Sequence, residues 1–204
     1  MNIKQIAFKG FNAQETTKKQ IYLHHTAGGA DATSTFQFWE SDPLNVGTCV
    51  AISRDGQIVQ GFDSKFWAYN LGLKSSHFLG LPYKNLDKSS IGIEICNWGY
   101  LVQKGTKFYN YVGKEVKDVC KLETPYKGYQ YFENYTTKQI ESVRELLLLW
   151  RDKYAIDLTY HEDIWQVTKR ALSGKNGLYT HNSVRKDKID VYPHPQLIEM
   201  LNDL

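Results

Sequence analysis

Hydrophobic positions in this chain fall into short dense runs, and the first clear one is "IYLHHTAGG" at 21–29. Its apolar start predicts a strand. The two histidines, followed by Thr, Ala and Gly, predict a strand end at the rim of a sheet, where the chain turns away. "ATSTFQFWES" predicts a helix opened by a Ser/Thr cluster and stopped at Asp42-Pro43. "TCVAISRDGQIVQGF" alternates around Asp55-Gly56, the pattern of a β-hairpin. "SSIGIEICNWG" is a continuous run of the kind that is buried on both faces of a central sheet.

The stretch from 100 to 135, rich in Tyr, Lys and Gly, keeps no helical period and predicts an extended hairpin or loop lying over one face. "YTTKQIESVRELLLLWRDKYAI" predicts a long helix: Thr136 with Gln139 forms a capping-box signature, and Ile140, Val143, Leu147 and Trp150 recur at helical spacing. "IDLTYHEDI" repeats the opening logic, a strand-like piece that ends in His161. From 177 onward the chain reads as polar and loop-like until a short helix near Pro195. Internal repeats and Pro/Gly/Ser-rich linkers are absent from the sequence.

Composition narrows the picture modestly. A chain of 204 residues fits one globular domain over 1–204 with a sizeable core. A formal charge of +3 gives no argument for nucleic acid and is compatible with an anionic polymer such as a cell wall. The 14 tyrosines, 9 phenylalanines and 5 tryptophans offer flat platforms for sugar faces or partner surfaces, as well as core. Cys49, Cys96 and Cys120 lack metal-type spacing and read as free thiols. Neither a signal peptide nor a membrane span is expected, so synthesis in the cytoplasm is the expectation.

One charge interrupts the buried run, Glu94. A carboxylate in such a strand costs several kcal/mol unless it is paired, bound to metal or protonated, or unless the strand end lets it reach water. That cost makes Glu94 a functional candidate. Two strand ends carrying histidine, a carboxylate in a late loop and a second carboxylate on a central strand would supply three ligands and a base to a catalytic metal. The spacing alone does not specify such a site.

Taken in order, "IYLHHTAGG", "VGTCVAISRDGQIVQG", "SSIGIEICNWG", "YHEDI" and "KDKIDVYP" resemble the type 2 N-acetylmuramoyl-L-alanine amidases, a family that includes amidase-type phage lysozymes and is similar to the peptidoglycan recognition proteins. The resemblance runs from about position 20 to the C-terminus, with segments near 100–135 and 165–185 that look like insertions. It implies an α/β fold with a central mixed sheet flanked by helices and a zinc groove on one sheet face. It implies zinc ligands His24, His161 and Asp190, with His181 the nearest rival to Asp190 and His194 a further alternative. Glu94 is implied as general base, and Lys188 as the cation that stabilises the developing oxyanion.

The implied reaction is hydrolysis of the amide between N-acetylmuramic acid and L-alanine of the stem peptide, by a monomer acting on peptidoglycan or muropeptide. A phage-type endolysin is the first reading. A wall-recycling amidase, a non-catalytic recognition module and a regulatory protein on the same fold are the alternatives. Trp98 and Tyr100 are candidates to line the groove, His77 to border it, and Arg185 and Lys186 to hold a peptide carboxylate. Thr48 stands where some members of the family carry a tyrosine near the metal.

Overall fold

In a computed structural model describing residues 2–204, the apolar runs become the strands of one central sheet. The elements begin with β1 (Ile3–Gln5), β2 (Gln20–His25), α1 (Ala32–Glu40), β3 (Val50–Ile52) and β4 (Ile58–Gln60). A short helix, α2 (Leu86–Ser89), leads into β5 (Ser90–Ile95). Five strands follow: β6 (Tyr100–Lys104), β7 (Lys107–Tyr109), β8 (Glu115–Val116), β9 (Val119–Tyr126) and β10 (Tyr129–Glu133). The chain finishes with α3 (Thr137–Tyr154), α4 (Lys169–Leu172), β11 (Gly177–Thr180) and α5 (Pro195–Asn202).

The central sheet has the order β1-β4-β3-β5-β2-β11. Strands β3, β5, β2 and β11 run parallel, β4 is antiparallel to β3, and β1 is parallel to β4. Both β2 and β5 are buried at every position, as central parallel strands should be. Helix α1 packs on β3 and β4, and α3 packs on β3, so the sheet is mixed and flanked by helices as expected. The β3–β4 hairpin turns at Asp55-Gly56. Gly56 has φ +86°, and a Cβ there would lie 2.8 Å from Lys138 Cβ, so glycine serves both the turn and the close approach of α3.

Two sequence expectations change. Residues 100–135 form neither one hairpin nor a loop but a second, antiparallel sheet of order β8-β7-β6-β10-β9. One of its two-residue corners is Lys127-Gly128, where both residues have positive φ and Tyr126 pairs with Tyr129. A two-residue hairpin turn of this hand matches the twist of its strands. The "IDLTY" piece at 156–160 is not a strand, although Ile156 and Leu158 are buried. The outer edge of β2 is taken by β11 instead, in the register Leu23 to Thr180.

Helix α3 starts as its capping box predicts. Thr136 Oγ1 accepts from the Gln139 amide at 3.1 Å, and Gln139 Oε1 accepts from the Thr136 amide at 3.1 Å. The Thr136 hydroxyl also donates to the Arg54 carbonyl at 2.9 Å, tying the helix start to the β3–β4 turn. Thr136→Ala is therefore expected to lower stability by about 1 kcal/mol, the usual loss at an N-cap. Denaturant unfolding checks this, and an unchanged midpoint would show that the cap contributes nothing.

Candidate metal centre

The functional side chains gather where parallel strands end. In this sheet β2 and β5 pair with His24 opposite Glu94, and successive residues of a strand point to opposite faces. His24 and Glu94 thus share a face near the carboxyl ends of neighbouring strands. This is the edge at which open α/β sheets place ligands. His181 follows directly on β11, in a 3-10 turn over His181–Ser183, and Asp190 arrives from the segment before α5.

Three donor atoms converge there. His24 Nδ1 lies 3.1 Å from His181 Nδ1, His181 Nδ1 lies 2.9 Å from Asp190 Oδ2, and His24 Nδ1 lies 3.3 Å from the same oxygen. His181 Nε2 sits 3.2 Å from the Leu71 carbonyl, which can only accept, so Nε2 carries the proton and Nδ1 presents a lone pair. His24 Nε2 is buried with no hydrogen-bond partner among the described residues. Lone pairs this close repel unless a proton or a metal ion lies between them, and these three residues can hold a metal ion.

The electrostatics follow from this crowding. Burial pushes the His24 ring toward its neutral form and the neighbouring His181 adds to that, while Asp190 pulls the other way. Burial also works to raise the Asp190 carboxyl, but the two histidines together hold it well below the usual carboxylate range. A neutral imidazole beside an ionised carboxylate is the state that binds a cation.

Glu94 lies beside this cluster, buried, and makes no hydrogen bond to the protein among the described residues. Burial raises its pKa well above the ordinary value, the charge of Asp190 raises it further, and Lys188 offsets part of this. A cavity of about 230 Å³ joins His24, Glu94, His181, Lys188 and Asp190, with Thr48 and Asn70 on its wall. The Thr48 hydroxyl donates to the Val50 carbonyl at 2.8 Å and is turned to the backbone.

The second histidine implied by the resemblance does not join the cluster. His161 is exposed, at the boundary of a 3-10 turn over Glu162–Trp165. The strand beside β2 is 177–180 and not 156–160, so register brings His181 next to His24. His181 therefore stands with Asp190 and does not replace it. "GLYTHN" repeats the logic of "IYLHH", which is the signal that would have found it.

The remaining candidates fall outside the cluster. His25 points away from His24 and is buried, with Nδ1 2.9 Å from the Tyr135 hydroxyl. Tyr100 stacks on Tyr129 at 3.9 Å in the second sheet, and Trp98 meets Tyr111 edge-on at 6.0 Å; neither lines the metal cavity. His77 accepts from the Lys74 amide, and Arg185 pairs with Asp187 and donates to the Gly72 carbonyl. His194 is buried against Asn134.

A brace that sequence reasoning missed holds the segment that carries Lys188 and Asp190. Lys127, at the tip of the β9–β10 turn, donates to Asn182 Oδ1 at 2.7 Å, to the Lys186 carbonyl at 3.2 Å and to the Lys188 carbonyl. Asn182 Nδ2 in turn donates to the carbonyls of Asp190 and Val191 at 2.9 and 2.8 Å.

The family model described as N-acetylmuramoyl-L-alanine amidase matches residues 14–193. The chain belongs to this amidase family. No curated protein sequence matches it. Solved structures do: PlyL, 18% identical, over 98% of this chain and 91% of that one, with a TM-score of 0.54. A mutant endolysin from Bacillus subtilis is 16% identical, over 97% and 92%, with a TM-score of 0.54. The N-acetylmuramoyl-L-alanine amidase LysC from Clostridium intestinale is 12% identical, over 98% and 95%, with a TM-score of 0.52. At such identities the likeness shows the amidase fold, into which the His-His-Asp cluster is set. No helix among the described residues of this amidase is long and apolar enough to cross a membrane.

Two outcomes are expected. After dialysis against divalent metal, the His181→Ala and Asp190→Ala proteins should carry less metal by mass spectrometry than the wild type, and His161→Ala as much. Metal lost from the His161 variant alone would reverse the assignment. Burial also lowers the pKa of His25 and of His194 to about 4, below the unfolded value of roughly 6.5. Their neutral burial contributes fully above the unfolded pKa and is lost as pH falls toward 4, because the unfolded chain takes up more protons. Urea unfolding of His194→Gln should accordingly show a shallower decline in stability between pH 7 and 4.5 than the wild type, and equal slopes would refute it.

Proposed function

We propose that this amidase is zinc-dependent and hydrolyses the amide between N-acetylmuramic acid and the L-alanine of the peptidoglycan stem peptide. The observation that carries the reading is the convergence of His24, His181 and Asp190 beside the unpaired Glu94 carboxylate. Tetrahedral zinc with ligand bonds near 2.05 Å sets its donors roughly 3.3 Å apart. The separations of 2.9 to 3.3 Å in the cluster fit that geometry. Two imidazoles and one carboxylate are also the donor types zinc prefers when one position stays open.

Zinc held by these three residues would supply Lewis acidity to a water and to the scissile carbonyl. Glu94 accepts the proton of the attacking water and returns it to the departing amide nitrogen. Its raised pKa suits this exchange, because nearby positive charge would lower it again toward the working range. Lys188, on the wall of the same cavity, places a positive charge where the carbonyl oxygen becomes negative. Lys127 and Asn182 hold the backbone of that segment, so Lys188 and Asp190 keep their places as charge shifts.

The endolysin among the structurally similar proteins supports polymeric cell wall as the substrate, and a lytic or wall-remodelling role. A recognition module that only binds would have no use for a buried, unpaired carboxylate beside a metal cluster. Purified peptidoglycan treated with the protein should release free stem peptides with an L-alanine amino terminus, seen by mass spectrometry. Glu94→Gln should slow that release by at least about 100-fold, the typical loss with a general base. Strands that are bound yet left uncut by the wild type would overturn the proposal.

A further inference from the structure

A histidine that binds metal through one ring nitrogen needs an acceptor for the proton on the other, because that second bond fixes the tautomer and the tilt of the ring. Two adjacent residues, Asn70 and Leu71, are placed to serve both imidazoles. The Leu71 carbonyl stands 3.2 Å from His181 Nε2 and serves that ring. His24 is the ring left over. Its Nδ1 faces His181 and Asp190, and its buried Nε2 has no partner among the described residues.

Asn70 carries an atom with the matching deficit: its Oδ1 is also buried and also without a partner among the described residues. The orientation of this amide is set by its nitrogen. Nδ2 donates to the Ala68 carbonyl at 3.3 Å and to Ser90 Oγ at 3.4 Å, and a carbonyl can only accept, so the oxygen is turned to the other side. Asn70 and His24 line the same cavity. Asn70 Cγ comes within 3.5 Å of where a Gly92 Cβ would stand, over β5 and on the face of Glu94, the register partner of His24. Against the burial that lowers the His24 pKa, the Asn70 side chain works to raise it, as an acceptor does and a donor does not.

A buried carboxylate fixes this pair of residues. Asp87, in α2, is 5% exposed, and its Oδ1 accepts from the amides of Asn70 and Leu71 at 2.8 and 2.9 Å. Arg185 adds a bond to the next carbonyl, that of Gly72, at 2.7 Å. Asp87 does not line the metal cavity, so its influence on the cluster runs through this backbone.

We propose that Asn70 and Asp87 are positioning residues for the metal ligands. Asn70 Oδ1 takes the Nε2 proton of His24 once Nδ1 is committed to zinc, and Asp87 holds the backbone that offers Asn70 to His24 and Leu71 to His181. The proposal rests on the zinc reading above and adds to it how the tautomers of both histidines are chosen.

The test measures zinc affinity of the full chain by competition with a chromophoric chelator, and follows the ring N–H signals of the zinc-loaded, 15N-histidine-labelled protein. Asn70→Ala should weaken zinc binding about 10- to 100-fold, the usual cost of losing a partner of a ligating histidine. In that variant the His24 Nε2–H signal should shift or exchange faster while the His181 signal stays in place. Asp87→Asn keeps the accepting oxygen and should retain more affinity than Asp87→Ala, with circular dichroism verifying that each variant folds. Zinc bound by Asn70→Ala as tightly as by the wild type, or both ring signals disturbed alike, overturns the proposal, as does a wild type that binds no zinc. A wild type that shows both ring signals with zinc bound, and whose Asn70→Ala variant loses the His24 signal alone, supports it even if peptidoglycan is left uncut, a result that would count against the amidase reading only.

Discussion

The parallel pairing of β11, β2 and β5 is the constraint on which the site depends. Its register sets His24 opposite Glu94 and Leu23 opposite Thr180, so that His181 emerges at the same edge. A slip of one residue in either pair would turn the chemistry to the other face of the sheet, because side chains alternate along a strand. Burial of every residue in β2 and β5 makes such a slip costly. The rigidity of the site is therefore borrowed from the core, and only Asp190 and Lys188 come from irregular chain.

That irregular chain is held from outside the central sheet. Lys127 reaches from the β9–β10 turn to Asn182 and to the carbonyls of Lys186 and Lys188, while Asn182 grips the backbone around Asp190. The second sheet thus reaches the segment that carries Lys188 and Asp190 through Lys127, and the chain just after β2 through the Tyr111 hydroxyl, which donates to the Ala27 carbonyl. Lys127 thereby braces irregular chain that the strands of the central sheet do not hold.

Much of this was legible in the sequence where local physics dominates. The Thr136/Gln139 cap, the Asp55-Gly56 hairpin and the burial of "SIGIEI" each depend on neighbours in the chain, and Glu94 announced itself as a charge in an apolar run. His161 and His181 could not be separated in that way. "IDLTY" has more strand character than "GLYT", and the choice between them is made by which segment reaches the free edge of β2, a tertiary event. The second sheet was hidden for a related reason: its strands carry many exposed Tyr and Lys residues, and the alternation of buried Cys120 and Leu122 with exposed Lys121 and Glu123 in β9 is too short to stand out. The amidase resemblance supplied the order of the motifs and named His161, which the structure sets outside the cluster of His24, His181 and Asp190, since motif order does not encode register.

Anomalous diffraction at the zinc absorption edge, from crystals grown with the metal, locates the ion and its ligands in one measurement. One strong peak is expected about 2 Å from each of His24 Nδ1, His181 Nδ1 and an oxygen of Asp190, with Glu94 close to the open side. A peak bound by His161, or a metal held by His24 without His181, would contradict that expectation.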